Sequence, residues 1–213
     1  MTPAWRDLGG LRTTDGRTIR PGALVRARSL DDLADDGWAV LYELGVRTVI
    51  DLRNDEERAA APAPAGITAV HLPLDAADDR EFWDEWASDW RFGTPVYYGP
   101  HLARFPERSL AVLTAIAYAR PGGVLYHCMS GRDRTGMVTM LVLALVGVAP
   151  DDIAADYELS AGLCDDAEAV SEGLTRAGTT ARAELLRTLA SLDLDTLVAA
   201  DLRSALRGRL LDG

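Results

Sequence analysis

The residues of this chain that could do chemistry crowd into ten positions, His127 to Gly136, HCMSGRDRTG. Cys128 is followed by Gly131 three positions on, by Arg134 six on, and then by Thr135 and Gly136. A cysteine attacks as its thiolate, so the question is what would hold the sulfur ionised. Gly131 lets the backbone coil until successive N–H groups converge on one point, a nest for an anion. A helix starting near Arg134 would add the positive end of its dipole and its unpaired N–H groups. In such a nest the pKa of Cys128 is expected to fall from about 8.5 into the ~3.5–7.5 range. Met129, Ser130, Gly131, Arg132 and Thr135 would line a pocket the size of a phosphate dianion. Arg134 can fork onto two phosphate oxygens, which an ammonium cannot. The Thr135 hydroxyl can reach a sulfur that must later leave phosphorus. His127 is expected to tune Cys128 through hydrogen bonds rather than carry protons. A buried structural cysteine before a core helix is the plain alternative for Cys128 alone; the full set of residue types at this spacing argues for chemistry.

The flanking sequence supplies what must position these groups. Gly122 to Tyr126, GGVLY, reads as a short buried strand, and Met137 to Val148 as an apolar helix, so the ten residues form a strand-to-helix turn. Val46 to Leu52 reads as a second buried strand. It delivers Asp51 and Arg53 to its C-terminal end, where open α/β sheets bind ligands; an aspartate there equally serves as a cap. Ala23 to Arg28 and Ile67 to Leu72 read as further strands, with His71 a core or rim residue. Ser29 is expected to cap a helix from about Leu30 to Leu44 that ends at Gly45. Asp15-Gly16 marks a turn in a small N-terminal arm, and Ala59 to Gly66, AAAPAPAG, a stiff loop. Pro100 to Arg120 reads as a long helix, with Pro106 and Ser109 as candidate breaks. Helical patterns recur at about 167–177, 180–192 and 196–211. The expected fold is α/β, a central mostly parallel sheet flanked by helices. One domain is expected over 1–213, with a core at about 5–160 and a helical extension at about 161–213.

Residues 75–99 set Phe82, Trp83, Trp86, Trp90, Phe92, Tyr97 and Tyr98 among acidic residues. Phe82, Trp83, Trp86 and Trp90 would share one helix face. That face either docks on the core or forms a lid over the pocket that grips an aryl leaving group.

Composition narrows the partners. The chain has 213 residues, 48% of them hydrophobic and 26% charged, which suits a soluble α/β domain. A net charge of −11 argues against nucleic acid and anionic membranes as general partners. Every basic residue is arginine. Two cysteines, Cys128 and Cys164, make no disulfide framework, and a nucleophilic thiol needs a reducing compartment, so a cytoplasmic location is expected. MTPAWRDLGG has no signal-peptide character, and the longest apolar run is shorter than the ~20 residues that span a bilayer, so no stable membrane insertion is expected. His71, His101 and His127 lack metal-ligand spacing, and no metal or cofactor is called for.

The ten-residue turn resembles the active-site loop of cysteine-dependent protein tyrosine phosphatases, H-C-x-x-G-x-x-R-[ST]-G. More narrowly, Gly131-Arg132-Asp133-Arg134-Thr135-Gly136 is similar to the G-K-D-R-T-G of the atypical bacterial tyrosine and dual-specificity phosphatases, some of which also take phosphoinositides. The resemblance extends to WRDLGG (Trp5–Gly10), VRARSL (Val25–Leu30), the VRTVIDLRNDEE run (Val46–Glu57) and ADYELS (Ala155–Ser160), covering most of residues 5–160. It implies a protein-tyrosine-phosphatase-like fold and two-step hydrolysis of a phosphomonoester through a thiophosphoryl-cysteine. The substrate would be a phosphorylated protein or a small phosphomonoester, a phosphoinositide being the alternative. Where the group carries lysine, this chain has Arg132. The resemblance favours Asp133 as general acid, ahead of Asp51 and then of Asp75, Asp78, Asp79 and Asp84. Its arginine neighbours and the helix start should lower the pKa of Asp133, which would make a partly buried Asp51 the better donor. Cys164 is either a buried helix cysteine or a trap for oxidised Cys128. A rhodanese-type sulfurtransferase usually lacks the His-Cys…Arg-Thr-Gly frame, an arsenate reductase usually carries its loop near the N-terminus, and a non-catalytic phosphate-binding module would have lost Cys128 or Arg134.

Overall fold

The computed structural model describes residues 5–58, 63–162, 164 and 166–213; residues 59–62, the first part of the AAAPAPAG loop, lie outside them. Among the described residues, β1 (Trp5–Asp7), β2 (Leu24–Ala27), β3 (Val46–Asp51), β4 (Thr68–His71) and β5 (Gly123–His127) form one sheet in the order β1-β2-β5-β3-β4. β1 runs antiparallel to β2 and the other pairs are parallel. β2 and β5 are buried along their whole length, as expected of parallel strands covered on both faces.

Side chains alternate between the faces. Leu24, Ile50 and Tyr126 turn to one layer, while Val25, Val49 and Leu125 turn to the other. The second layer is closed by α1 (Asp35–Glu43) through Leu41. The first holds α2 (Arg80–Trp86), α3 (Tyr98–Arg104), α4 (Pro106–Ala117), α5 (Asp133–Val146) and α6 (Pro150–Ala161). After them come α7 (Ala167–Arg176), α8 (Ala181–Ser191), α9 (Leu194–Leu197) and α10 (Ala200–Leu210), whose Leu185, Leu206 and Leu210 pack into the same core as α5. Among the described residues no helix is long and apolar enough to cross a membrane.

Several boundaries depart from the sequence reading. The first helix begins at Asp35, not near Leu30, because Ser29 does not cap it. The Ser29 hydroxyl instead accepts from the Asp31 amide (3.3 Å) and from Arg53 Nη1 (3.1 Å), which keeps residues 28–34 as a turn. The long helix expected at 100–120 is two, α3 and α4, broken at Phe105 (φ −130°, ψ 50°). Pro106 excludes the helical conformation from the residue before it and opens α4 at its first position. The last helix is likewise split, with Asp193 capping the short α9.

Register decides where the site can be. Ala27 of β2 and Asp51 of β3 both pair with His127 of β5. Three parallel strands therefore end level, and the chemistry-bearing turn leaves from the middle one.

Candidate active site

The turn is shaped by contact with β2. Gly131 has φ +75°, and a Cβ there would stand 2.8 Å from the Ala27 carbonyl oxygen and 2.9 Å from the Arg28 nitrogen. Only glycine meets both demands. The Met129 carbonyl accepts from the Ser29 amide (2.8 Å), and the Arg132 amide lies 3.3 Å from Ser130 Oγ. Cys128 is buried, and its sulfur accepts a hydrogen bond from Thr135 Oγ1 at 3.1 Å. α5 begins at Asp133, so its first-turn amides and dipole face the turn. Tyr98 Oη fixes that start by donating to the Asp133 carbonyl (2.9 Å), and a Cβ on Gly136 would lie 2.7 Å from the same hydroxyl.

His127 faces the Cys128 carbonyl through Nδ1 (3.2 Å), with Nε2 3.9 Å from Asp51 Oδ1. Burial lowers its pKa, which favours the neutral imidazole.

Arg134 makes the fork expected of it, but onto a carboxylate of the protein: Nη1 and Nη2 both reach Glu57, with Nη2–Oε1 at 2.6 Å. Its Nε lies 3.4 Å from Asp75 Oδ2. Glu57 was not among the sequence candidates. Its legible signal is the spacing Asn54-x-x-Glu57, and the structure has that capping box, with Oε2 accepting from the Asn54 amide at 2.8 Å. Arg53 builds the platform beneath. It binds Asp51 through Nε (3.0 Å) and Nη2 (2.9 Å), Asp31 through Nη1 (2.5 Å) and the Glu57 carbonyl through Nη1 (3.2 Å). Arg132 is also occupied, with Nε on Asp133 (3.0 Å) and Nη1 and Nη2 on Asp166 (2.5 and 3.0 Å).

The carboxylates reverse the expected order of acidity. Asp133 is raised, because burial outweighs the Arg132 and Arg134 charges. Asp51 is lowered despite burial, since Arg53 hydrogen-bonds its ionised form through side chain and backbone and adds its positive charge. Asp51 is therefore a poor proton donor and a structural partner of Arg53. Asp75 follows β4 on a segment that continues alongside β3, with the Leu74 amide donating to the Leu52 carbonyl. Burial raises its pKa to about 6, against the pull of Arg134, and Oδ1 has no hydrogen-bond partner among the described residues. Of the other candidates, Asp78 and Asp84 are exposed and Asp79 caps α2.

Asp75 carries a stability consequence. Its pKa is raised on folding from 3.8 to about 6. Below pH ~3 both states are protonated and the residue is neutral to stability. As pH rises toward 6 only the unfolded chain ionises freely, and the penalty grows to ~3 kcal/mol, at ~1.4 kcal/mol per tenfold change in proton affinity. Asp75→Asn should therefore gain on the wild type by ~2–3 kcal/mol between pH 4 and pH 7. Denaturant titrations at the two pH values check this, and a pH-independent difference would refute it.

Of the aromatic stretch, Phe82, Trp83 and Trp86 pack on one another and on the His101 and Phe105 rings, so this face docks on α3 rather than covering the pocket. Trp90 lies beyond the end of α2, not on the shared face. Phe92 is half exposed and leans on Tyr97, with centroids 6.2 Å apart. Cys164 is only partly buried, and its sulfur stands 3.8 Å from the carbonyl oxygens of both Ser130 and Ser160, beside the turn rather than within a helix.

The family model described as "Tyrosine phosphatase family" matches residues 2–205. Over 187 residues the chain is 35% identical to the triple specificity protein phosphatase PtpB of Mycobacterium tuberculosis, covering 72% of this chain and 66% of that one. It is 32% identical over 156 residues to a tyrosine-protein phosphatase of Nostoc commune, covering 67% of this chain and 50% of that one. The chain thus spans between half and about two thirds of the length of these curated relatives. Among solved structures it is similar to TpbA of P. aeruginosa in complex with pTyr, at 20% identity and a TM-score of 0.49, covering 92% of this chain and 94% of that one. With the match running through the loop and nearly the whole sheet and helix framework, the chain belongs to the tyrosine phosphatase family.

Proposed function

We propose that this chain is a cysteine-dependent phosphomonoester hydrolase acting on phosphorylated tyrosine or on mixed phosphoprotein substrates. The observation that carries the reading is the 3.1 Å hydrogen bond from Thr135 Oγ1 to Cys128 Sγ at the foot of a glycine-coiled turn and a helix start. A hydroxyl aimed at a buried sulfur stabilises the thiolate both before it attacks and when it leaves. In the first step Cys128 attacks phosphorus in line; the S–P bond forms, the ester P–O bond breaks, and an acid protonates the departing oxygen. In the second, water attacks phosphorus, the S–P bond breaks, inorganic phosphate leaves and the same carboxylate takes the proton. Loop amides and Arg134 hold the equatorial oxygens as charge shifts. Glu57 and Asp75 position Arg134, and Arg53 with Asp51 holds the segment that carries Glu57. No cofactor enters these steps.

For the acid we propose Asp133, which travels with the loop and whose pKa burial raises. Asp75 is the second reading, favoured by its pKa of about 6 and its unpartnered oxygen. Support for an aromatic ester comes from the relatives named tyrosine and triple specificity phosphatases. A thiol nucleophile must stay reduced, which supports a reducing compartment such as the cytoplasm.

Hydrolysis of p-nitrophenyl phosphate by the purified chain tests the reading, with thiosulfate sulfur transfer as the control for rhodanese-type chemistry. Arg134→Lys should lose more than about tenfold in kcat/KM, ~1.4 kcal/mol, because an ammonium cannot make paired contacts to two oxygens nor keep the fork on Glu57. A smaller loss would make the bidentate role untenable.

A further inference from the structure

Two motifs without assigned chemistry, VRARSL and ADYELS, meet behind the loop. Arg26 lies on β2, on the face shared with Leu24, and is 2% exposed. Its Nη1 stands 2.5 Å from Asp156 Oδ2 on α6, and its Nη2 donates to the Gly131 carbonyl at 2.8 Å. The Asp156 side chain is wholly buried, and its second oxygen lies 3.1 Å from Arg6 Nη2.

A buried ion pair is weak grounds for stability, since desolvation of both charges opposes their attraction. The contact with Gly131 gives this one another role. A trans peptide points its C=O and N–H to opposite sides. Holding the Gly131 carbonyl against β2 therefore aims the Arg132 amide away from β2, on the side of Ser130 Oγ. Gly131 is also where the turn reverses, at φ +75°, so a change in its peptide plane would redirect the nest. Asp156 fixes the guanidinium from the opposite end and supplies the counter-charge that lets an arginine be buried there.

We infer that Arg26 is a positioning residue for the phosphate-binding loop: braced by Asp156, it holds the Gly131 carbonyl and so sets the direction of the neighbouring amide toward the bound oxyanion. This rests on the phosphatase reading above. Arg6, more exposed at the edge strand, neutralises the remaining oxygen of Asp156 and does not touch the loop.

Two variants test it. Arg26→Lys keeps a cation for Asp156 but not a planar fork that reaches both partners. The double variant Arg26→Met with Asp156→Leu removes both charges together, an exchange that is often neutral or stabilising for a buried pair. Thermal unfolding, kcat and KM on p-nitrophenyl phosphate, and tungstate affinity by calorimetry are measured for each. Expected are a melting temperature near wild type in the double variant, and in both variants a fall of about tenfold or more, ~1.4 kcal/mol, in tungstate affinity and in kcat. A folded variant that keeps wild-type kcat and tungstate affinity overturns the inference, as does loss of the fold in both, which would make the pair structural. If the double variant alone fails to fold, Arg26→Lys decides by the same readouts. A wild-type chain that binds tungstate without hydrolysing the ester refutes the catalytic reading, and tungstate affinity alone then judges Arg26.

Discussion

Cys128→Ser should bring turnover below about one per cent of wild type, a loss of more than ~2.7 kcal/mol in transition-state stabilisation. A serine hydroxyl in the same place stays protonated at neutral pH and has no adjacent base to activate it. His127 cannot serve, since its Nδ1 faces the Cys128 carbonyl and its Nε2 the Asp51 side. The variant should still bind phosphate or tungstate at least as well as wild type. Its loop amides and Arg134 are untouched, so the groups that hold the dianion remain. Binding is read by calorimetry and turnover by release of p-nitrophenol. Activity of several per cent would remove Cys128 from the nucleophile's role. Loss of binding along with turnover would mean instead that the substitution had collapsed the turn.

The acid is decided by a leaving-group series. Protonating the departing oxygen matters when the alcohol is poor and little when it is p-nitrophenol. Removing the true acid should cost ~10²–10⁴-fold on an alkyl or unactivated aryl phosphate, far less on p-nitrophenyl phosphate, and should flatten the basic limb of the pH–rate profile. Asp133→Asn is expected to show this pattern. Asp75→Asn should give a roughly parallel offset across the series, because Asp75 touches Arg134 Nε and its loss disturbs the fork rather than proton delivery. A steep dependence in Asp75→Asn with a parallel offset in Asp133→Asn would exchange the roles. The wild-type profile adds a second reading. With Asp75 as donor, activity falls as pH rises through about 6, where its carboxyl ionises.

The turn was legible because its whole set of groups is local. Cys128, Gly131, Arg134 and Thr135 lie within eight residues, and the strand before them and the helix after them fix their directions. What the sequence hid are pairings across long separations. Glu57 meets Arg134 across 77 positions and Arg26 meets Asp156 across 130. No periodicity reports which of 33 carboxylates an arginine will find. The acidities of Asp133 and Asp51 were misjudged for a related reason. Proximity in sequence to arginines is visible, whereas burial of a carboxyl is a property of the assembled core. Ser29 shows the same limit on a smaller scale, since its hydroxyl was free to cap a helix until Arg53, 24 positions away, was placed beside it.

The strand order has a consequence for how the molecule assembles. β5 lies between β2 and β3, yet it is the last strand in sequence. On a growing chain β2 and β3 have no partner in common until His127 has been made, so the left and right parts of the sheet cannot be joined early. The groups around Cys128 come from both of those parts, from β5 itself, from α3 and from α5. Insertion of a central strand between distant partners is a high-contact-order event, intrinsically slow compared with helix formation. The anion nest needs both pairings of β5, so it is completed only when that strand has joined the two parts. Oxyanions that bind only the finished nest act on this final step by mass action, drawing the chain toward the closed sheet.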